Sequence, residues 1–148
     1  MLFIFLFLSS GTLFIAADAS DTGLCSWISP CNFQTAKKII GDYSFVNILD
    51  TQINDSKSLN SLSDFLSYAI SKNCIIAGTD TIVDGNSFLL NDLAFIHAEK
   101  GDEAKISQMT FTNFNCTLLS IRSFSKFSMT QCTLINNEMK NGLGLIIA

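Results

Sequence analysis

The sequence predicts an all-β chain wound as a parallel solenoid, and three observations predict it. Residues 106–115 laid on 127–136, an offset of roughly twenty-one, pair apolar with apolar and Asn with Asn. Short runs rich in β-branched residues alternate with turn signals such as Asp84-Gly85. An amphipathic helix stands just ahead of these runs, where the open end of a first coil needs cover.

The repeat sets the expected core. Ile106 meets Phe127, Phe111 meets Cys132, Phe114 meets Ile135, and Asn115 meets Asn136. A coil buries its apolar side chains only against the coils above and below, so these six apolar residues are expected to stack inward. Asn at a corner tolerates the left-handed turn, and it can pass amide hydrogen bonds to the next coil about 4.8 Å away. Cys132 takes the place of Phe111 in the repeat and is expected to point inward as a small hydrophobe.

Composition narrows the function classes. The chain has 148 residues, enough for one core and too few for two. Hydrophobic residues make up 48% and charged residues 15%, which excludes a chain disordered by charge. Thirteen Phe stand against two Tyr and one Trp, so most aromatic surface has no polar handle and belongs in a core. A net charge of -4 with no basic stripe excludes nucleic-acid binding.

Taken along the chain, Leu2 to Ala17 is an apolar run broken at Ser9-Ser10-Gly11-Thr12, and Ala17-Asp18-Ala19 offers small residues where a signal peptidase reads them. Residues 1–19 are expected to be a leader cut before Ser20, the alternative being an uncleaved membrane anchor. Residues 20–57 form a lead-in holding Trp27 and two cysteines, with no firm structure assigned between Ser20 and Tyr43. In a secreted chain disulfides are permitted, and Cys25 with Cys31 is the favoured pair, closing a small loop around Trp27. Asn54-Asp55-Ser56 and Asn115-Cys116-Thr117 fit the N-glycosylation acceptor pattern.

Tyr43 to Leu49 alternates apolar and small polar residues and is expected to be a first strand. Residues 58–148 are read as a helix followed by coils. Leu59, Leu62, Phe65, Leu66, Ala69 and Ile70 recur at helical spacing, which predicts a helix near Leu59 to Ser71 with Ser61 or Ser63 as its cap. After it, Asn73 to Asn86 holds two β-branched runs divided by Gly78-Thr79-Asp80. Lys100-Gly101-Asp102-Glu103-Ala104 reads as a solvated corner.

The order of amphipathic helix, Ile75-Ile76-Ala77-Gly78 run, Val83-Asp84-Gly85 turn and short coils with Asn corners resembles the right-handed parallel β-helix of the pectin-lyase-like superfamily. Within that group, Cys132 to Asn137 followed by Asn141 to Ala148 resembles the polymorphic outer-membrane type repeat, with Leu134 in place of its Phe and Leu143 between its paired glycines. The resemblance implies a right-handed parallel β-helix with an N-terminal capping helix. It further implies that hydrolytic members would carry clustered aspartates with a His and basic residues nearby, since glycoside hydrolysis uses two carboxyls at a defined separation.

Asp80, Asp84 and Asp92 are the candidates for such a cluster here, beside a single His97 and a single Arg122. All three aspartates lie in turn-rich sequence, where Asp is expected as a turn former. Neither a CxxC pair nor a phosphate loop occurs, so no metal or cofactor is expected. The expected function is therefore a secreted or cell-surface, non-enzymatic scaffold for glycans or other surface proteins, the alternative being a polysaccharide lyase or glycoside hydrolase. The last residues, Leu145-Ile146-Ile147-Ala148, are apolar, so the chain reads as an N-terminal piece of a longer β-helix. Membrane contact is expected only through such a missing part or an uncleaved N-terminal segment.

Overall fold

The computed structural model describes residues 11–42, 45–88, 94–138 and 146–147. Its first strand, β1 (Thr12–Ile15), precedes helix α1 (Phe33–Ile39). Strands β2 (Phe45–Ile48) and β3 (Gln52–Ile53) lead into helix α2 (Ser56–Ser71). From there the chain is β throughout: β4 (Ile75–Asp84), β5 (Ile96–Ala98), β6 (Gly101–Thr112), β7 (Leu119–Ile121), β8 (Phe124–Thr130), β9 (Thr133–Ile135) and β10 (Ile146–Ile147).

A seven-stranded sheet runs in the order β1-β2-β4-β6-β8, with β3 beside β4 and β9 beside β6. A second sheet has three strands in the order β10-β7-β5. The strand pairings of both sheets are parallel. Parallel neighbours need crossovers, and here the crossovers form a second layer. That layer begins as α1 against α2, continues as α2 against β5, and ends as the three-stranded sheet. The core lies between the layers, filled by Leu13, Ile48, Ile76, Ile106 and Phe111 from one side and Leu62, Phe65, Leu66 and Phe95 from the other.

This arrangement corrects the expected all-β right-handed parallel β-helix. Among the described residues 23% are helical and 41% lie in strands, and they close no solenoid. The difference arises upstream of the repeat. Asn32 accepts a hydrogen bond from the Thr35 backbone N–H at 2.9 Å and starts α1, whose Phe33 and Ala36 face the core. The lead-in left unassigned by sequence is thus partly helical, and α2 is not an end cap. It is one crossover among several, flanked by α1 and β5. Its N-cap is Asp55, which accepts from Ser58 N at 2.8 Å, in place of the expected Ser61 or Ser63. The six apolar positions read at helical spacing are all buried. The strand expected first, Tyr43 to Leu49, contains β2, the second in order.

The tail repeat has a different register from the one expected. Ile106 pairs with Met129 and Phe111 with Leu134, a shift of two positions from the offset read in sequence. A shift of two preserves which side chains point inward, so Ile106, Phe111 and Phe114 remain buried. Phe127 and Cys132 are only partly buried against the core, and Ile135 is exposed on the outer strand β9. The corner pair becomes Asn113 and Asn136, both left-handed at φ 58° and 52°, whereas Asn115 is not left-handed. Phe88, Phe95, Phe111 and Phe114 fill the space under this corner, with neighbouring ring centroids 4.6 to 6.3 Å apart.

At the other edge, β1 lies inside the segment expected to be a leader. Leu13 and Ile15 are fully buried, β1 pairs with β2 along its length, and Ala17 N donates to Asp50 Oδ2 at 2.8 Å. Residues 1–10 lie outside the described residues. A chain starting at Ser20 is expected to melt more than about 10 °C below one starting at Gly11, since two buried side chains and one sheet edge are lost. Equal melting temperatures would show that β1 is dispensable. The structure also separates two residues that the sequence ranks alike. Phe114 is 1% exposed and Ile135 is 44% exposed. Phe114→Asp should cost about 4 kcal/mol or more and Ile135→Asp about 1 kcal/mol or less, measured by urea denaturation.

Candidate functional site

Two of the candidate catalytic aspartates fall on described residues, at different places in β4. Asp80 sits exposed at a bend within β4, in a left-handed conformation at φ 49°. Asp84 ends β4, and its Oδ1 accepts from Asn86 N at 3.0 Å and from Asn113 Nδ2 at 3.1 Å. Its carboxylate is thus occupied in holding a turn and the neighbouring corner. Asp92 lies outside the described residues. His97 is on β5 in the other layer, with Nε2 3.3 Å from Glu99 Oε1. Arg122 is exposed just beyond β7. Among the described residues no group of three His, Cys, Asp or Glu could hold a metal ion.

The cysteines do not supply a nucleophile either. Burial pushes the Cys74 thiol up to about 11 and raises those of Cys116 and Cys132. A raised thiol is mostly protonated near neutral pH, and the thiolate is the reactive form.

The surface has several recesses, one of about 740 Å³ beside Asn73, Glu99, Lys100 and Asp102. One of about 380 Å³ opens between the starts of the two helices, beside Asp18, Asn32, Asp55 and Lys57. Asn32 and Asp55 already use their side chains as caps there. The hydrogen bond from Ser58 holds the Asp55 carboxyl below its ordinary value. A second recess of about 380 Å³ lies at the asparagine corner, beside Asn86, Asn113, Asn115 and Asn136. There Asn137 donates to Phe111 O at 2.9 Å and accepts from Phe114 N at 2.8 Å, so its amide closes the corner as an extra rung of sheet.

The most extended polar surface is the outer face of the seven-stranded sheet. Strand alternation turns every second side chain outward, and parallel register stacks the outward ones in rows across the strands. One row reads Asn47, Ala77, Ser107, Thr130, and the next Gln52, Ile82, Thr110, Thr133. Phe45 and Ile82 break the polar surface, at 50% and 43% exposed. Three left-handed residues, Asp80, Gln108 and Gln131, mark the bend that divides the two rows. The composition of this face was legible in sequence; the rows were not, because they depend on a register that spans strands 23 to 30 residues apart.

The Cys25–Cys31 disulfide is present. Its loop lies along the outer edge of β1: Phe14 N donates to Cys25 O at 2.8 Å, Cys31 N to Phe14 O at 3.2 Å, and Ala16 N to Cys31 O at 3.0 Å. The two glycosylation candidates, Asn54 and Asn115, are both exposed. No known protein family, curated protein or solved structure matches the chain.

Replacing Cys25 and Cys31 together by Ser is expected to cost about 2 kcal/mol, the loop-closure value for so short a ring. It should also speed amide exchange at Phe14 and Ala16, measured by hydrogen–deuterium exchange, by more than the increase seen at β6, which reports the global loss alone.

Proposed function

We propose that this protein is a secreted or cell-surface, non-enzymatic scaffold that binds glycans or another surface protein through the outer face of its seven-stranded sheet. The observation that carries the reading is the pair of rows across that face, Asn47 to Thr130 and Gln52 to Thr133. Hydroxyls and amides spaced one strand apart, about 4.8 Å, suit a ligand that presents its own hydroxyls at intervals. Phe45 adds an apolar platform of the kind on which a sugar ring can rest. The disulfide is in keeping with an oxidising compartment, and exposure of Asn54 and Asn115 is what acceptor sites need. The engagement of Asp84 in its turn favours binding over hydrolysis as the role of this surface.

A glycan array and a reducing-sugar assay run on one preparation test the reading together. Binding without sugar release is expected, with Phe45→Ser and Thr110→Glu each weakening it at least tenfold and leaving the melting temperature within a few degrees. Sugar release that disappears in Asp84→Asn would overturn the proposal in favour of a hydrolase or lyase.

A further inference from the structure

The Cys25–Cys31 loop has a second side. Its base is fastened to β1, but its tip carries Leu24, Trp27 and Ile28 at 77%, 63% and 92% exposed. Large apolar side chains gathered on one loop at such exposure are costly in water and call for a partner. The loop is also held in shape. Beyond the disulfide, Gly23 packs so close to Pro30 that an added Cβ would lie 2.1 Å from the Pro30 carbonyl oxygen. Trp27 is steadied edge-on against Phe14, with ring centroids 5.6 Å apart. A surface fixed before binding loses little freedom when it binds.

Three features say what kind of partner fits. Leu24, Trp27 and Ile28 lie close together in sequence and are all mostly exposed, an apolar load that a lipid interface can take up. From Leu24 to Gln34 there is no charged residue. The loop also satisfies much of its own backbone: Ser26 N donates to Ser29 O at 3.1 Å, Ser29 N to Ser26 Oγ at 3.1 Å, Leu24 N to Ser29 Oγ at 3.4 Å, and Pro30 has no N–H to satisfy. Internal satisfaction of backbone groups is the condition for entering a bilayer boundary, and Trp is the side chain enriched at that depth. The flanking charges are mixed, Asp18 and Asp21 on one side and Lys37 and Lys38 on the other, which gives no preference for an anionic surface.

We infer that the Leu24–Trp27–Ile28 tip docks into the interface of an electrically neutral, zwitterionic lipid bilayer, holding the protein at a membrane surface. The inference goes beyond the glycan-binding reading, and the two surfaces adjoin: Trp27 packs on Phe14, which pairs with Asn47 of the outer row.

Trp27 is the chain's single tryptophan, so its fluorescence reports the tip alone. The full chain is titrated with phosphatidylcholine vesicles up to millimolar lipid, with and without brominated acyl chains. The expected result is a blue shift of Trp27 emission, quenching by bromines placed high on the acyl chain, and at least a tenfold weaker response in Ile28→Asp and in Leu24→Ser. Because both side chains are exposed, these variants should keep the wild-type melting temperature. The comparison with them also separates the tip from lipid binding by the apolar run at residues 2–8. Three outcomes overturn the inference: no spectral change at millimolar lipid, a response confined to anionic vesicles and abolished by salt, or a change that follows protein concentration with sedimentation showing a dimer.

Discussion

Everything in this molecule is hung on the pairing of β4 with β6. These are the two longest strands, and both bend at the same level, between Ala77 and Thr81 in one and at Gln108 in the other. The bend is possible because Asp80 and Gln108 take left-handed conformations and because Gly78 has no side chain; a Cβ there would lie 2.5 Å from the Gln108 carbonyl oxygen. The inward parity changes at the bend, from Ala104 and Ile106 before it to Met109 and Phe111 after it. Buried Thr81 completes the joint, donating from Oγ1 to Asp50 O at 2.6 Å and accepting from Thr79 N at 3.0 Å. Strands β2 and β3 lie against one side of this bent pair, β8 and β9 against the other, and each keeps the break that the bend imposes.

Much of the local structure was readable from sequence, and for identifiable reasons. Helix α2 has six apolar residues at strict three and four residue steps, a signal no strand could produce. Helix α1 has seven residues, too few turns for periodicity to show, and its two buried positions, Phe33 and Ala36, read as noise. The register of the tail was misplaced by two because Asn occurs at 113 and 115 on one segment and at 136 and 137 on the other. Either pairing satisfies a pattern of apolar and Asn matches. Only the backbone conformation, left-handed at 113 and 136, chooses between them. The fold class was misjudged by extending that local period upstream, into crossovers that are helical.

The candidate site shows the same division. That Asp84 would serve its turn followed from the Asp-Gly dipeptide, and the hydrogen bond to Asn86 N is that service. The bond it accepts from Asn113 spans 29 residues and left no trace in local sequence. Proximity in sequence suffices to pair Cys25 with Cys31, but nothing in their spacing announces that the ring lies along β1, a strand only four residues long in an apolar run.

That ring makes the β1 edge of the large sheet a covered one. An unpaired strand edge is a template on which another copy can add. Here one edge of the large sheet is already occupied by backbone from residues 25–31, hydrogen-bonded to Phe14 and Ala16 and closed on itself by the disulfide. A strand from another copy therefore finds the β1 edge already paired. The ring holds residues 25 and 31 at the spacing at which both reach Phe14, so a six-residue detour of chain does the work of an edge strand.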